Sequence, residues 1–178
     1  MREEDQSRFP PVLHVLKNGH RVTIRPLALK DGPALADFYQ SVPAADVRFY
    51  CPHLLTREKA MENAAAALSP LQVVLVVEAA DSRIAGYAWY RWESEHSSTS
   101  SFGICIRHSF QGLGAGRALM CRLLEIARVI GPPVMGLTVQ KANPKAFALY
   151  RSMGFLAVRE QLRATDNEPE YYMQLKVR

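Results

Sequence analysis

Seven residues near the middle of the chain are the first whose types and spacing point to chemistry: Gln111, Gly112, Leu113, Gly114, Ala115, Gly116 and Arg117. Three glycines at alternate positions, set between an apolar run and a helical pattern, let the backbone reach positive φ. They also let a ligand come close to the amides. The helix that follows offers unpaired N–H groups and a partial positive charge in its first turn, which suits a phosphate. Arg117 falls in that turn and adds a cation. Spacing excludes two other phosphate motifs. A dinucleotide fingerprint needs G-x-G-x-x-G, and counted from Gly112 and Gly114 the third glycine falls at Arg117. A P-loop ends in Gly-Lys-Ser/Thr, whereas this turn ends Gly116-Arg117-Ala118. The same glycines also permit a tight turn and close helix–sheet packing without a ligand, and spacing alone leaves both readings open.

Other reactive side chains point to less. Cys51, Cys105 and Cys121 are odd in number and contain no CxxC, which argues against a disulfide framework, a zinc ribbon or a dithiol redox site. Free thiols fit a reducing compartment. Cys51 with His53 supplies two ligands, which do not make a metal site, so no metal is expected. Cys105 has no nearby His or Asp in sequence to activate it as a nucleophile. Trp89, Tyr90 and Trp92 crowd one strand and serve either a ligand pocket or cross-strand packing.

The elements that must position these residues follow from periodicity. Residues 12–16 and 21–25 alternate about Asn18-Gly19, the signature of a hairpin. Asp31 is placed to cap a helix with Pro33 in its first turn, carrying Leu35, Phe38 and Tyr39 on one face. Residues 42–55 read as irregular between Pro43 and Pro52, and Thr56 opens a second helix. Strands are expected over residues 71–79, 84–92, 101–107, 134–140, 155–163 and 170–177, with helices over 117–130 and 145–153. Meander strands come first and crossover helices later. That order predicts a mixed α/β (α+β) domain: one twisted mixed sheet of about six or seven strands, flanked by about four helices. Residues 1–11 are expected to be a tail and residues 12–178 the single domain.

Composition agrees. The 178 residues are 48% hydrophobic and 22% charged, as in an ordinary globular domain rather than a disordered or fibrous chain. Lys and Arg exceed Asp and Glu by five, which suits a polyanionic ligand without naming it. No basic cluster supports nucleic-acid binding. The longest apolar run, residues 73–77, is too short for a bilayer, and residues 1–11 lack the apolar length of a secretion signal. A soluble, cytoplasmic protein with no membrane partner is expected.

The glycine turn resembles motif A of the GNAT acetyltransferase superfamily, Gln/Arg-x-x-Gly-x-Gly/Ala, with Gln111, Gly114 and Gly116 in the matching places. Residues 137–155 resemble that family's motif B: a strand, Asn143 near a helix start, Ala146 four residues before Tyr150, then Gly154-Phe155. Residues 22–27 resemble its first strand. The resemblance runs from about Arg21 to the end of the sequence. It implies acyl transfer from acetyl-CoA, with residues 111–117 on the pyrophosphate and Asn143 on the pantetheine. The strand carrying Ile104, Cys105 and Ile106 would lie along the pantetheine arm. A backbone N–H near Ile104 or Cys105 would polarise the thioester, in a slot where two parallel strands splay near Ile104 and Val139. Tyr150 would be the general acid to the thiolate, and the partner an amine of a small molecule or protein. The chain departs from the family where many relatives carry a Glu two residues before a strand glycine: Ser101 stands there before Gly103. Glu93, Glu95 and His96 are the substitute bases, directly or through water, with solvent as a further route. The departure keeps open an alternative, a catalytically degenerate acyl-CoA-binding module of the same fold. The acceptor and the oligomeric state, a homodimer included, are not encoded legibly.

Overall fold

The computed structural model describes residues 1–49 and 53–178; Cys51 lies outside the described residues. A single helical turn, α1 (Glu3–Gln6), precedes a hairpin with arms β1 (Val12–Val15) and β2 (Arg21–Pro26). Gly19 takes φ +83° in its turn, the left-handed conformation that favours an Asn-Gly pair. Helix α2 (Gly32–Gln40) is followed by one more turn, α3 (Ala44–Val47), and by α4 (Arg57–Ala65). Thr56 Oγ1 caps α4 by accepting from the Lys59 amide at 3.1 Å. Strands β3 (Gln72–Ala79), β4 (Ile84–Arg91) and β5 (Thr99–Ile106) form a meander. Helix α5 (Ala115–Ala127) crosses to β6 (Val134–Gln140), α6 (Pro144–Ser152) leads to β7 (Leu156–Leu162), and β8 (Pro169–Lys176) inserts between β7 and β6.

The strands make one sheet in the order β1-β2-β3-β4-β5-β6-β8-β7. All neighbours are antiparallel except β5 and β6, which run parallel and pair only at Thr99–Val134, Ser100–Met135 and Ser101–Gly136. Two cores sandwich the sheet. On one side Val73, Leu75 and Val77 belong with Leu119, Leu123 and Ile126 of α5; on the other Val74 and Val76 belong with Leu35, Phe38 and Tyr39 of α2. Because β3 is buried on both faces, its sequence is a continuous β-branched run rather than an alternation.

The mixed sheet matches the expectation, with eight strands rather than six or seven, because both arms of the first hairpin pair and β1 forms an outer edge. Among the described residues six α-helical elements replace the expected four; the additions, α1 and α3, are four-residue turns too short to leave a periodic signature. Residues 1–11 are docked rather than loose. Met1 is buried, Phe9 packs on the α5-side core, and Arg122 donates to the Pro10 carbonyl at 2.7 Å. Asp31 sits at the N-cap of α2 but does not cap it with its side chain. Its carboxylate is taken by Arg25 at 2.7 and 3.0 Å and by the Ala28 amide, while Arg25 also reaches Glu78 at 2.8 Å. A charge-assisted pair outcompetes a neutral cap.

Candidate active site

Past Ser101 and Gly136 the two parallel strands lose each other. Strand β5 continues to Ile106, paired on its far side with β4, and β6 continues to Gln140, paired with β8. Between them residues 102–106 and 137–140 turn backbone groups toward a gap instead of toward a partner strand. Unpaired strand edges seek hydrogen bonds, so an extended ligand can fill the gap like an added strand. The strands part three residues earlier than the expected splay near Ile104 and Val139, which both lie within the gap. A pocket of about 830 Å³ opens over it, lined among others by Trp89, Phe102, Ile104, Thr138, Tyr150 and Tyr172.

The glycine turn lies just beyond the end of β5. Gly112 and Gly114 take φ +74° and +97°, and a Cβ on either would meet nothing within 4 Å, so the turn presents bare backbone to open space. Gly114 caps α5, which begins at Ala115 rather than at the expected Arg117, with the Ala118 amide bonded to the Gly114 carbonyl at 3.0 Å. The Leu113 carbonyl accepts from the Lys17 amide at 3.0 Å, which fastens the turn to the first hairpin. Gln111 is a brace: its Nε2 donates to the Ile106 carbonyl and to Asp46 Oδ2, both at 3.1 Å, and His108 Nδ1 lies 3.2 Å from the same oxygen. Arg117 is turned toward α6, where it donates to Ser152 Oγ at 2.7 Å. Ala115 is buried beneath the turn, while a Cβ on Gly116 would meet Ile106 and Leu149 only at ordinary distances.

Tyr150 is the buried phenol of the gap, 7% exposed. Its ring meets Phe102 edge-on at 6.1 Å and lies 6.0 Å from Phe155. No described residue hydrogen-bonds its hydroxyl. Burial, with a smaller push from Cys105, raises Tyr150 above the ordinary phenol range, so it keeps its proton at neutral pH. Burial, with a smaller contribution from Asp46, pushes the Cys105 thiol up to about 12, which leaves it protonated and a poor nucleophile. Asn143 caps α6, its Oδ1 accepting from the Ala146 amide at 3.1 Å. The predicted acids separate. Glu93 lines the pocket rim, but Glu95 pairs with Arg2 at 3.1 Å and lines a second cleft of about 440 Å³; His96 borders both. The aromatic cluster also divides: Trp89 and Trp92 line the pocket, whereas Tyr90 faces the α5-side core and donates to the Pro132 carbonyl at 2.6 Å.

Two glycines make room for the pocket wall. A Cβ on Gly103 would lie 2.5 Å from the Trp89 ring, and one on Gly136 would lie 2.6 Å from the Tyr172 hydroxyl. Sequence reasoning missed the far wall, formed by Thr138, Gln140, Glu170 and Tyr172. Register alone finds it: Glu170 and Tyr172 share one face of β8 opposite Gln140 and Thr138, and the Tyr171-Tyr172 pair leaves no polar–apolar alternation to read in the sequence. Among the described residues no three His, Cys, Asp or Glu side chains gather closely enough to hold a metal ion, and no helix is long and apolar enough to cross a membrane.

The model of the acetyltransferase (GNAT) family matches residues 37–155. No curated protein matches the sequence. Among solved structures, the GNAT domain of S. lividans PAT superposes with a TM-score of 0.77 at 16% identity, covering 93% of this chain and 96% of that one. A putative acetyltransferase, yncA of Salmonella typhimurium, determined with acetyl-CoA, gives 0.73 at 23% identity, covering 88% and 94%. The spermidine N-acetyltransferase of Vibrio cholerae, determined with CoA and spermine, gives 0.74 at 19% identity, covering 87% and 95%.

Proposed function

The chain belongs to the GNAT acetyltransferase family, with acetyl-CoA as co-substrate, and on that premise we propose that it acetylates a primary amine of a small molecule or protein. The amine attacks the thioester directly in a ternary complex, with Tyr150 as general acid. The observation that carries this reading is the splay beyond Ser101 and Gly136, with a buried, protonated phenol beside it and a bare glycine turn at its end.

Each task of acyl transfer has a residue. Gly112 and Gly114 leave space for a pyrophosphate over the first turn of α5. The inner edges of β5 and β6 offer backbone donors and acceptors to the pantetheine amides, and an N–H near Ile104 or Cys105 polarises the thioester carbonyl. Asn143 spends Oδ1 on its cap, which leaves its amide N–H₂ for the pantetheine. Tyr150 gives its proton to the departing thiolate and regains one from the acylated nitrogen, which sheds its own as the amide forms; burial keeps the resting phenol protonated at neutral pH. Glu93 at the rim takes the proton of the incoming ammonium through water; Glu95, held by Arg2, is not needed. The protonated Cys105 thiol favours direct attack over an acetyl-cysteine intermediate.

Acetyl-CoA titrated by calorimetry tests the donor half, and no saturable binding at high micromolar concentration would end the reading. Ser101 in place of a Glu favours a second reading, an acyl-CoA-binding module without turnover. Release of free thiol across a panel of amines separates the two.

A further inference from the structure

Glu170 is a buried carboxylate that the acetyl-transfer scheme does not use. It is the second residue of β8, is 5% exposed, and lines the pocket on the far side of β6 from the gap. Among the described residues only Gln161 serves it: Gln161 Nε2 donates to Glu170 Oε1 at 2.7 Å. No described residue hydrogen-bonds the second oxygen, which meets the pocket. The carboxylate thus has one neutral donor on one oxygen and presents the other to the pocket, and a cation is the ligand group that such an oxygen pairs with best.

The pocket's own cations are engaged elsewhere. Arg91 donates to Gln72 at 2.8 Å, to Asn63 at 3.0 Å and to Tyr87 at 3.1 Å, and stacks over Trp89. Arg163 donates to Asp166 at 2.7 Å and to the Arg48 carbonyl at 3.1 Å. Neither forms an ion pair with Glu170. Glu93 and His96 are exposed at the rim, beyond the buried wall.

We infer that Glu170 is the cation-recognising residue of the acceptor site, and that the acceptor carries a second positive group beyond the nitrogen that is acetylated. This deepens the amine-acetylation reading and rests on it for the word acceptor. The geometry sets the reach. Glu170 lies one strand beyond β6, so gap and carboxylate are separated by roughly one and a half strand spacings, ~7 Å. A short aliphatic linker spans that distance, and the Tyr172 ring, on β8 opposite Thr138, provides apolar surface for it.

The test uses three linear primary amines of equal chain length: diaminopentane, aminopentanol and aminopentanoate. They differ only in a second group that is cationic, neutral or anionic. Each is titrated by calorimetry into the full-length protein saturated with CoA, so binding is read without turnover. The wild type should bind the diamine about 10- to 100-fold more tightly than the alcohol, and the acid most weakly. Glu170→Gln, which keeps shape and volume, should erase the preference for the diamine while leaving CoA affinity unchanged. The wild-type order decides even if the variant fails to fold: equal affinities, or a preference for the alcohol or acid, overturn the assignment. So does a preference that survives in Glu170→Gln. If the order holds but acetyl-CoA yields no free thiol with any amine, the transferase reading fails and the cation site stands.

Discussion

Gly103→Ala tests how the pocket wall is built. The new Cβ would lie 2.5 Å from Trp89 Cε2 and Cζ2 and 2.7 Å from Nε1, so the ring must retreat by about 0.9 Å to regain a 3.4 Å contact. It has little room. Trp89 is buried, and the Arg91 guanidinium lies 4.8 Å over its ring, itself fixed by Gln72, Asn63 and Tyr87. Overpacking of this kind costs about 1–3 kcal/mol. Replacing glycine by alanine returns about 0.4–1 kcal/mol through the unfolded chain. The net loss of roughly 0.5–2 kcal/mol should lower the thermal midpoint by about 1–8 °C in a domain of this size. Thermal unfolding measures the loss. The near-UV circular dichroism of a chain with only two tryptophans reports the ring, with Trp92→Phe isolating Trp89. Acceptor affinity should fall while acetyl-CoA affinity holds, because the displaced wall belongs to the pocket and not to the glycine turn. A variant as stable as the wild type, with an unchanged tryptophan spectrum, would refute the packing argument.

Tyr150→Phe should cut turnover about 100-fold or more with acetyl-CoA affinity retained; steady-state kinetics with parallel calorimetry check it, and undiminished turnover removes Tyr150 from the mechanism. Gly114→Ala forces a side chain into φ +97°, at a cost of about 1–2 kcal/mol, and should weaken acetyl-CoA binding in calorimetry more than Gly116→Ala, whose site has space and ordinary backbone. Burial raises Cys105 from 9.0 to about 12, so the folded state holds that proton more tightly than the unfolded chain; the stability it contributes is complete below about pH 9 and lost as pH rises toward 12. Denaturant unfolding of Cys105→Ala should show a shallower decline over that window. Burial raises the Asp31 carboxyl, but the Arg25 contacts outweigh it and leave Asp31 below its ordinary value; the Arg25 hydrogen bond holds Glu78 low as well. Their contribution is present above the carboxylate range and lost as pH falls through it, so Arg25→Met should be less stable at neutral pH and show a flatter acid limb in urea titrations.

Periodicity and turn chemistry made most of the fold legible. The Asn18-Gly19 hairpin, the doubly buried run of β3 and the Asn143 cap each carry a local signal that the folded chain keeps. What escaped was set by partners distant in sequence. Asp31 looks like a cap until Arg25 is brought beside it, and a four-residue turn such as α3 has no period to read. The glycine turn was readable because its residues are contiguous. The pocket wall was not, because Trp89, Gly103, Gly136 and Glu170 come from four strands and meet only once the sheet order is fixed. Glu93 and Glu95, two residues apart, show the limit most directly: sequence treats them alike, and the fold sends one to the pocket and the other to Arg2.

The short parallel junction also divides the sheet's hydrogen-bond ladder into two halves. Strands β1 to β5 form one antiparallel meander and β6, β8 and β7 another, stitched by three residue pairs. Local opening follows such thin seams before it reaches either half. A ligand lying in the gap would bind the closed form alone and raise the free energy of opening by mass action. Amide exchange along residues 102–106 and 137–140 should therefore slow on loading far more than exchange in β3 or β8. In that sense the substrate is also a structural component, lent to the fold for one turnover at a time.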